Sequence, residues 1–164
     1  MRARRLLPLC LLAIAVCSIA NVKADKAVPF KGRWSGETVS AVPISPTVVS
    51  IVAEGSGHLT HLGAYTMVSP HTSDIASGFT EGDQIFTAAN GDTLTAYCQG
   101  TPVFDFPTGT VTGTLDCEVT SGTGRFEDAT GSYEFTLVST LVGLLPNGLF
   151  KFATEAEITG EINY

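Results

Sequence analysis

Across residues 28–164 apolar and polar positions alternate with a period of two, and Thr, Val, Phe and Tyr recur throughout. Gly, Pro, Asn and Asp interrupt the alternation about every ten residues, a spacing that belongs to short antiparallel strands. Phe30-Lys31-Gly32-Arg33-Trp34 reads as a first strand with Phe30 and Trp34 on one face. Pro43 and Pro46 break the chain, and residues 47–53 read as a second strand. Glu54-Gly55-Ser56-Gly57 is expected to turn the chain into a segment over 58–68. That segment places Leu59, His61, Tyr65 and Met67 on one face. Residues 69–82 show no clean period and are expected to form a long loop. Asn90-Gly91, between strands over 83–89 and 93–98, is a strong hairpin signal.

Residues 100–107 form a proline-containing aromatic stretch, and Val111, Gly113, Leu115, Cys117 and Val119 then alternate with polar residues. Folding this strand back about Pro107-Thr108 sets Cys98 opposite Cys117, both on apolar faces, near enough to bridge. Residues 121–135, S-G-T-G-R-F-E-D-A-T-G-S-Y-E-F, are the organising stretch. Gly122, Gly124 and Gly131 bracket one aromatic, Phe126, so a tight corner is expected, with Phe126 tucked inward and Arg125 and Glu127 in water. Beyond it Tyr133, Phe135, Leu137 and Leu141 alternate with Glu134, Thr136 and Thr140, and Pro146-Asn147-Gly148 makes a turn. The last strand is the cleanest. Phe150, Phe152, Ala156, Ile158 and Ile162 share one face, and Lys151, Glu155, Glu157 and Glu161 share the other.

About eight antiparallel strands without a helix to cover an edge close most economically into an all-β barrel, with a two-sheet sandwich as the alternative. A barrel of that size is either filled by side chains or just wide enough for one small ligand.

Residues 1–24 carry a basic head at Arg2, Arg4 and Arg5, an apolar run over 6–20 and the small-residue exit Val22-Lys23-Ala24. They are expected to be a cleaved signal peptide that sends residues 25–164 to a secreted or periplasmic location. Leu9 and Val16 precede Cys10 and Cys17 where a lipobox wants a small residue, so lipid anchoring is disfavoured. Cleavage removes four of the nine basic residues and none of the sixteen acidic ones, and the mature chain carries a net −11. Such a surface repels nucleic acid and anionic membranes. No nucleic-acid partner is expected, nor a membrane after cleavage; a homo-oligomer stays open.

The stretch G-T-G-R-F-E-D-A-T-G over 122–131 resembles the G-G-T-G-x-F-x-x-A-T-G signature of the allene oxide cyclase and dirigent barrels. G-S-G-H-L-T-H-L-G over 55–63 and E-G-D-Q-I-F-T-A-A-N-G-D over 81–92 are similar to bacterial exported proteins with an allene oxide cyclase barrel-like domain. The resemblance implies an eight-stranded antiparallel barrel with a central apolar cavity. It implies no catalytic residue, because those families' catalytic carboxylates lie outside the matched motif. Position 121 is Ser where they usually have another Gly.

His58 and His61 form the one H-x-x-H, but residues three apart on a strand face opposite sides, so a shared metal is not expected; His71 could add a third ligand only if the loop folded back. His61, beside Tyr65, is the candidate general base. Glu81-Gly82-Asp83 and Asn90-Gly91-Asp92 lack calcium-loop spacing and read as turns. No cofactor is implied. Three classes of function remain: a barrel binding a small apolar molecule through Tyr65, Phe135, Phe150 and Phe152; a cyclase-like or radical-steering catalyst; and a structural domain with a filled core. A cavity separates the third from the others, and an ionisable group inside it separates the second from the first.

Overall fold

The computed structural model describes residues 27–164, so the expected signal peptide, with Cys10 and Cys17, lies outside the described residues. Nine strands follow in order: β1 (Val28–Pro43), β2 (Val48–Leu59), β3 (Gly63–Asp74), β4 (Thr80–Ala88), β5 (Thr93–Gly100), β6 (Val103–Asp105), β7 (Thr110–Gly122), β8 (Thr130–Leu144) and β9 (Phe150–Asn163). Neighbours along β5-β4-β3-β2-β1-β9-β8-β7-β6 pair antiparallel, and β5 also pairs with β7. That pairing closes eight strands into a barrel and rules out the two-sheet sandwich, since closure leaves no sheet edge along the eight strands. The extra strand, β6, continues the line of β5 after an interruption at Thr101-Pro102. Both lie against β7 in the register that places Cys98 opposite Cys117. The two sulfurs are bonded.

Four expectations about the elements need correction. β1 does not stop at Trp34 but runs to Pro43, with Thr38 buried before and Ala41 buried after a bulge between Thr38 and Ser40. Residues 54–57 are not a turn; β2 passes straight through them. Their glycines serve close approach instead. A Cβ on Gly57 would lie 2.0 Å from the Arg33 carbonyl oxygen and 2.7 Å from the Tyr65 hydroxyl. The segment 58–68 is not continuous, because the chain turns at 60–62 between β2 and β3, with His61 at φ 69°. Finally, the loop expected over 69–82 shrinks to 75–79, since β3 extends to Asp74 and β4 begins at Thr80.

One end of the barrel is packed solid. Phe30, Phe86 and Tyr133 meet at ring separations of 5.3–6.2 Å, and Tyr65 packs on Phe86 at 5.3 Å. The glycine corner closes this end as a 3₁₀ turn over Gly124–Phe126. Phe126 is fully buried against Tyr164, while Arg125 and Glu127 are exposed as expected. Gly124 holds φ 60°, and a Cβ there would sit 2.0 Å from the Asp92 carboxylate. Asp92 in turn accepts from the Arg125 backbone N–H and from Asn90, so these polar groups clamp a turn.

Candidate functional site: a half-open barrel

The inward aromatics fill only the end that carries the glycine corner. Towards the other end, framed by the loops at 44–47, 75–79, 106–109 and 145–149, the interior opens into a cavity of about 590 Å³. Its size lies in the range of small-molecule sites. The boundary follows from residue size along the inner face. Trp34 and Met67 cap the packed half, and beyond them the paired positions Thr38, Ala53 and Ser69 are too small to fill the lumen.

Apolar wall comes from Ile51, Val111, Leu115, Phe135, Leu137 and Phe152. An aromatic cluster edges the mouth. Phe104 packs on Phe106 at 4.4 Å and on Phe152 at 6.0 Å, and Phe150 meets Phe152 at 6.3 Å. Phe106 is 80 % and Phe150 51 % exposed, so these rings face both lumen and water. Of the expected ligand-contacting residues, Phe135, Phe150 and Phe152 therefore line the cavity. Tyr65 does not. It sits in the packed half, where its hydroxyl donates to the Arg33 carbonyl at 3.1 Å and burial pushes its pKa up.

Polar groups inside are mostly hydroxyls paired with one another. Ser73 with Thr80 and Ser139 with Thr154 each span 2.7 Å across neighbouring strands. Gln84, nearly fully buried, accepts from the Tyr133 hydroxyl at 2.9 Å. The disulfide lies in the wall through Cys98. Among the described residues, no group of three or more His, Cys, Asp or Glu is placed to hold a metal ion.

His61, the candidate base, is at the opposite end, exposed in the β2–β3 turn with its Nδ1 2.8 Å from the Tyr164 hydroxyl. The turn separates it from Tyr65, with which the alternation had aligned it. The imidazole inside the cavity is His71 on β3, seated opposite Gly82. Its Nδ1 lies 3.0 Å from the Ser69 carbonyl oxygen, which can only accept. The proton therefore resides on Nδ1, and Nε2, without a partner among the described residues, is left as an acceptor. Burial holds the His71 pKa below its ordinary range, against a smaller upward pull from the Ser69 carbonyl. Sequence reasoning weighed His71 only as a third metal ligand and missed its place in the cavity, because its neighbours on the inner face, Ser69 and Ser73, are polar; the alternation S-x-H-x-S was its one signal.

A neutral buried imidazole makes stability depend on pH with a definite sign. The unfolded chain takes up a proton near the ordinary histidine pKa of about 6.5, whereas the folded chain resists it until lower pH. The His71 contribution is therefore complete above that value and is lost as pH falls towards the folded pKa. Urea denaturation at about pH 7.5 and about pH 5.5 should show wild type losing stability relative to His71→Gln on acidification. An unchanged difference would mean that the ring is not desolvated.

No protein-family model matches the chain, and no curated protein matches it. Among solved structures it is similar to the pterocarpan synthase dirigent protein GePTS1, at a TM-score of 0.45 and 11% identity over 85% of this chain and 93% of that one. The barrel assigned above rests on the strand pairing alone.

Proposed function

We propose that this is an exported barrel that binds one small, largely apolar molecule in its open half. The observation that carries the reading is the cavity itself. Side chains pack the Phe126 end to closure yet leave about 590 Å³ beyond Trp34, walled by apolar residues and edged by four phenylalanines. A structural domain has no use for leaving apolar wall unpacked, because each missing contact forfeits dispersion and burial energy. Export is supported by the Cys98–Cys117 disulfide, which persists in oxidising compartments.

Titrating a chemically broad set of apolar compounds tests the reading. A true ligand raises the melting temperature in proportion to the logarithm of its concentration above its dissociation constant. A flat response across the whole set overturns it. His71 favours a second reading, in which a bound molecule loses a proton to Nε2 during a cyclisation or isomerisation. Conversion of a bound compound by wild type but not by His71→Gln would establish that reading.

A further inference from the structure

We infer that the cavity selects neutral ligands bearing a hydroxyl, which donates to His71 Nε2, and rejects carboxylates of the same shape; this rests on the binding role proposed above. Two features of the lining carry it. First, among the described residues no Lys or Arg lines the cavity, and the one carboxylate there, Asp74, stands at the mouth. A ligand carboxylate would lose its hydration on entry without gaining a counter-ion, and would pass Asp74 to do so. The Ala76 backbone N–H keeps the Asp74 carboxyl below its ordinary pKa, so that group remains anionic near neutral pH. The acidity of the whole chain works in the same direction.

Second, among the described residues two ring nitrogens of the wall lack a protein partner: the buried Trp34 Nε1, which can only donate, and His71 Nε2. The Ser73–Thr80 and Ser139–Thr154 hydroxyls satisfy each other, and the Gln84 amide oxygen accepts from the Tyr133 hydroxyl. His71 spends Nδ1–H on the Ser69 carbonyl and keeps an unshared lone pair at Nε2. A lone pair in an apolar cavity prefers a donor, and a hydroxyl is the neutral donor that brings no charge with it.

The test compares three probes with one apolar tail and different heads: decanol, decanoate and methyl nonyl ether. Each is titrated against the intact protein by displacement of a neutral fluorescent probe. Decanol should bind roughly three- to tenfold more tightly than the ether, the worth of one net hydrogen bond. Decanoate should bind roughly tenfold or more weakly than decanol, reflecting the unpaired charge. In His71→Leu the decanol advantage over the ether should vanish while ether affinity persists; His71→Gln serves if the leucine variant fails to fold. Equal affinity for decanol and ether in wild type, or decanoate binding best, overturns the inference while leaving the binding role intact. Failure of all three to displace the probe, with the probe itself bound, also overturns it. Absence of any binding, probe included, removes the binding role and this inference together.

Discussion

Replacing Phe126 with Ala should destabilise the protein by roughly 3–5 kcal/mol in chemical denaturation, the range for truncating a large core aromatic. The ring is fully buried, packs on Tyr164 at 5.2 Å and is covered on its outer side by the Arg125 guanidinium at 4.8 Å. Its backbone cannot follow the lost side chain inward. The Phe126 N–H donates to the Thr123 carbonyl and its own carbonyl accepts from Ala129, so the 3₁₀ corner is held at both ends. Gly122 lies so close that a Cβ there would sit 2.2 Å from the Phe126 carbonyl oxygen. The neighbours are therefore fixed, and the space left by the ring stays empty. A loss below about 1 kcal/mol, typical of surface substitutions, would show that Phe126 does not plug the barrel. Because the cavity lies at the other end, ligand affinity of the folded fraction should be unchanged.

The Cys98→Ala, Cys117→Ala double variant should lose about 3 kcal/mol, and wild type in reductant should match it. The bond closes a loop with a sequence separation of 19. Its cross-link lies at the β5–β7 seam, one of the junctions that make the sheet a closed barrel. The hairpin arm opposite β7 is itself interrupted at Thr101-Pro102, which leaves β6 paired over only three positions. Without the bond, the seam depends on β5–β7 ladder hydrogen bonds and on wall contacts that the cavity has already thinned. Denaturation midpoints that coincide with and without reductant would contradict this, as would peptide mapping that finds both thiols free.

The sequence was most informative where one face of a strand is dry and the other wet. The alternation of β9 and the Asn90-Gly91 hairpin needed only local information. Cys98 and Cys117 were legible because antiparallel register follows from one turn, and 106–109 is close to where that turn was placed. What stayed hidden is the open half. There the inner face of β3 carries Ser69, His71 and Ser73, polar residues that a filled core would not accept but a cavity does. Apolar alternation cannot find such a strand, so 69–74 read as loop and His71 was weighed only as a third metal ligand, not as a cavity residue. His61 was misplaced for a different reason. A residue other than Gly occupies the left-handed conformation in the β2–β3 turn, while Leu59 before it and Tyr65 and Met67 after it keep the period of a single strand. Glycines at 55 and 57 likewise signalled a turn, although their role is to let backbone and the Tyr65 ring come close.

The account stands on the claim that the open half of the barrel is a binding site and not incidental space. Ala53→Phe tests this most directly, because Ala53 faces the lumen between Thr38 and Ser69 and an added ring would occupy the cavity without displacing the packed end. Titration of wild type with N-phenylnaphthylamine, a neutral apolar fluorophore, should give a saturable rise in emission at one probe per chain. The folded Ala53→Phe protein should give little or none. Equal saturable binding by the two proteins, or none by wild type, would contradict the assignment of the cavity as the site.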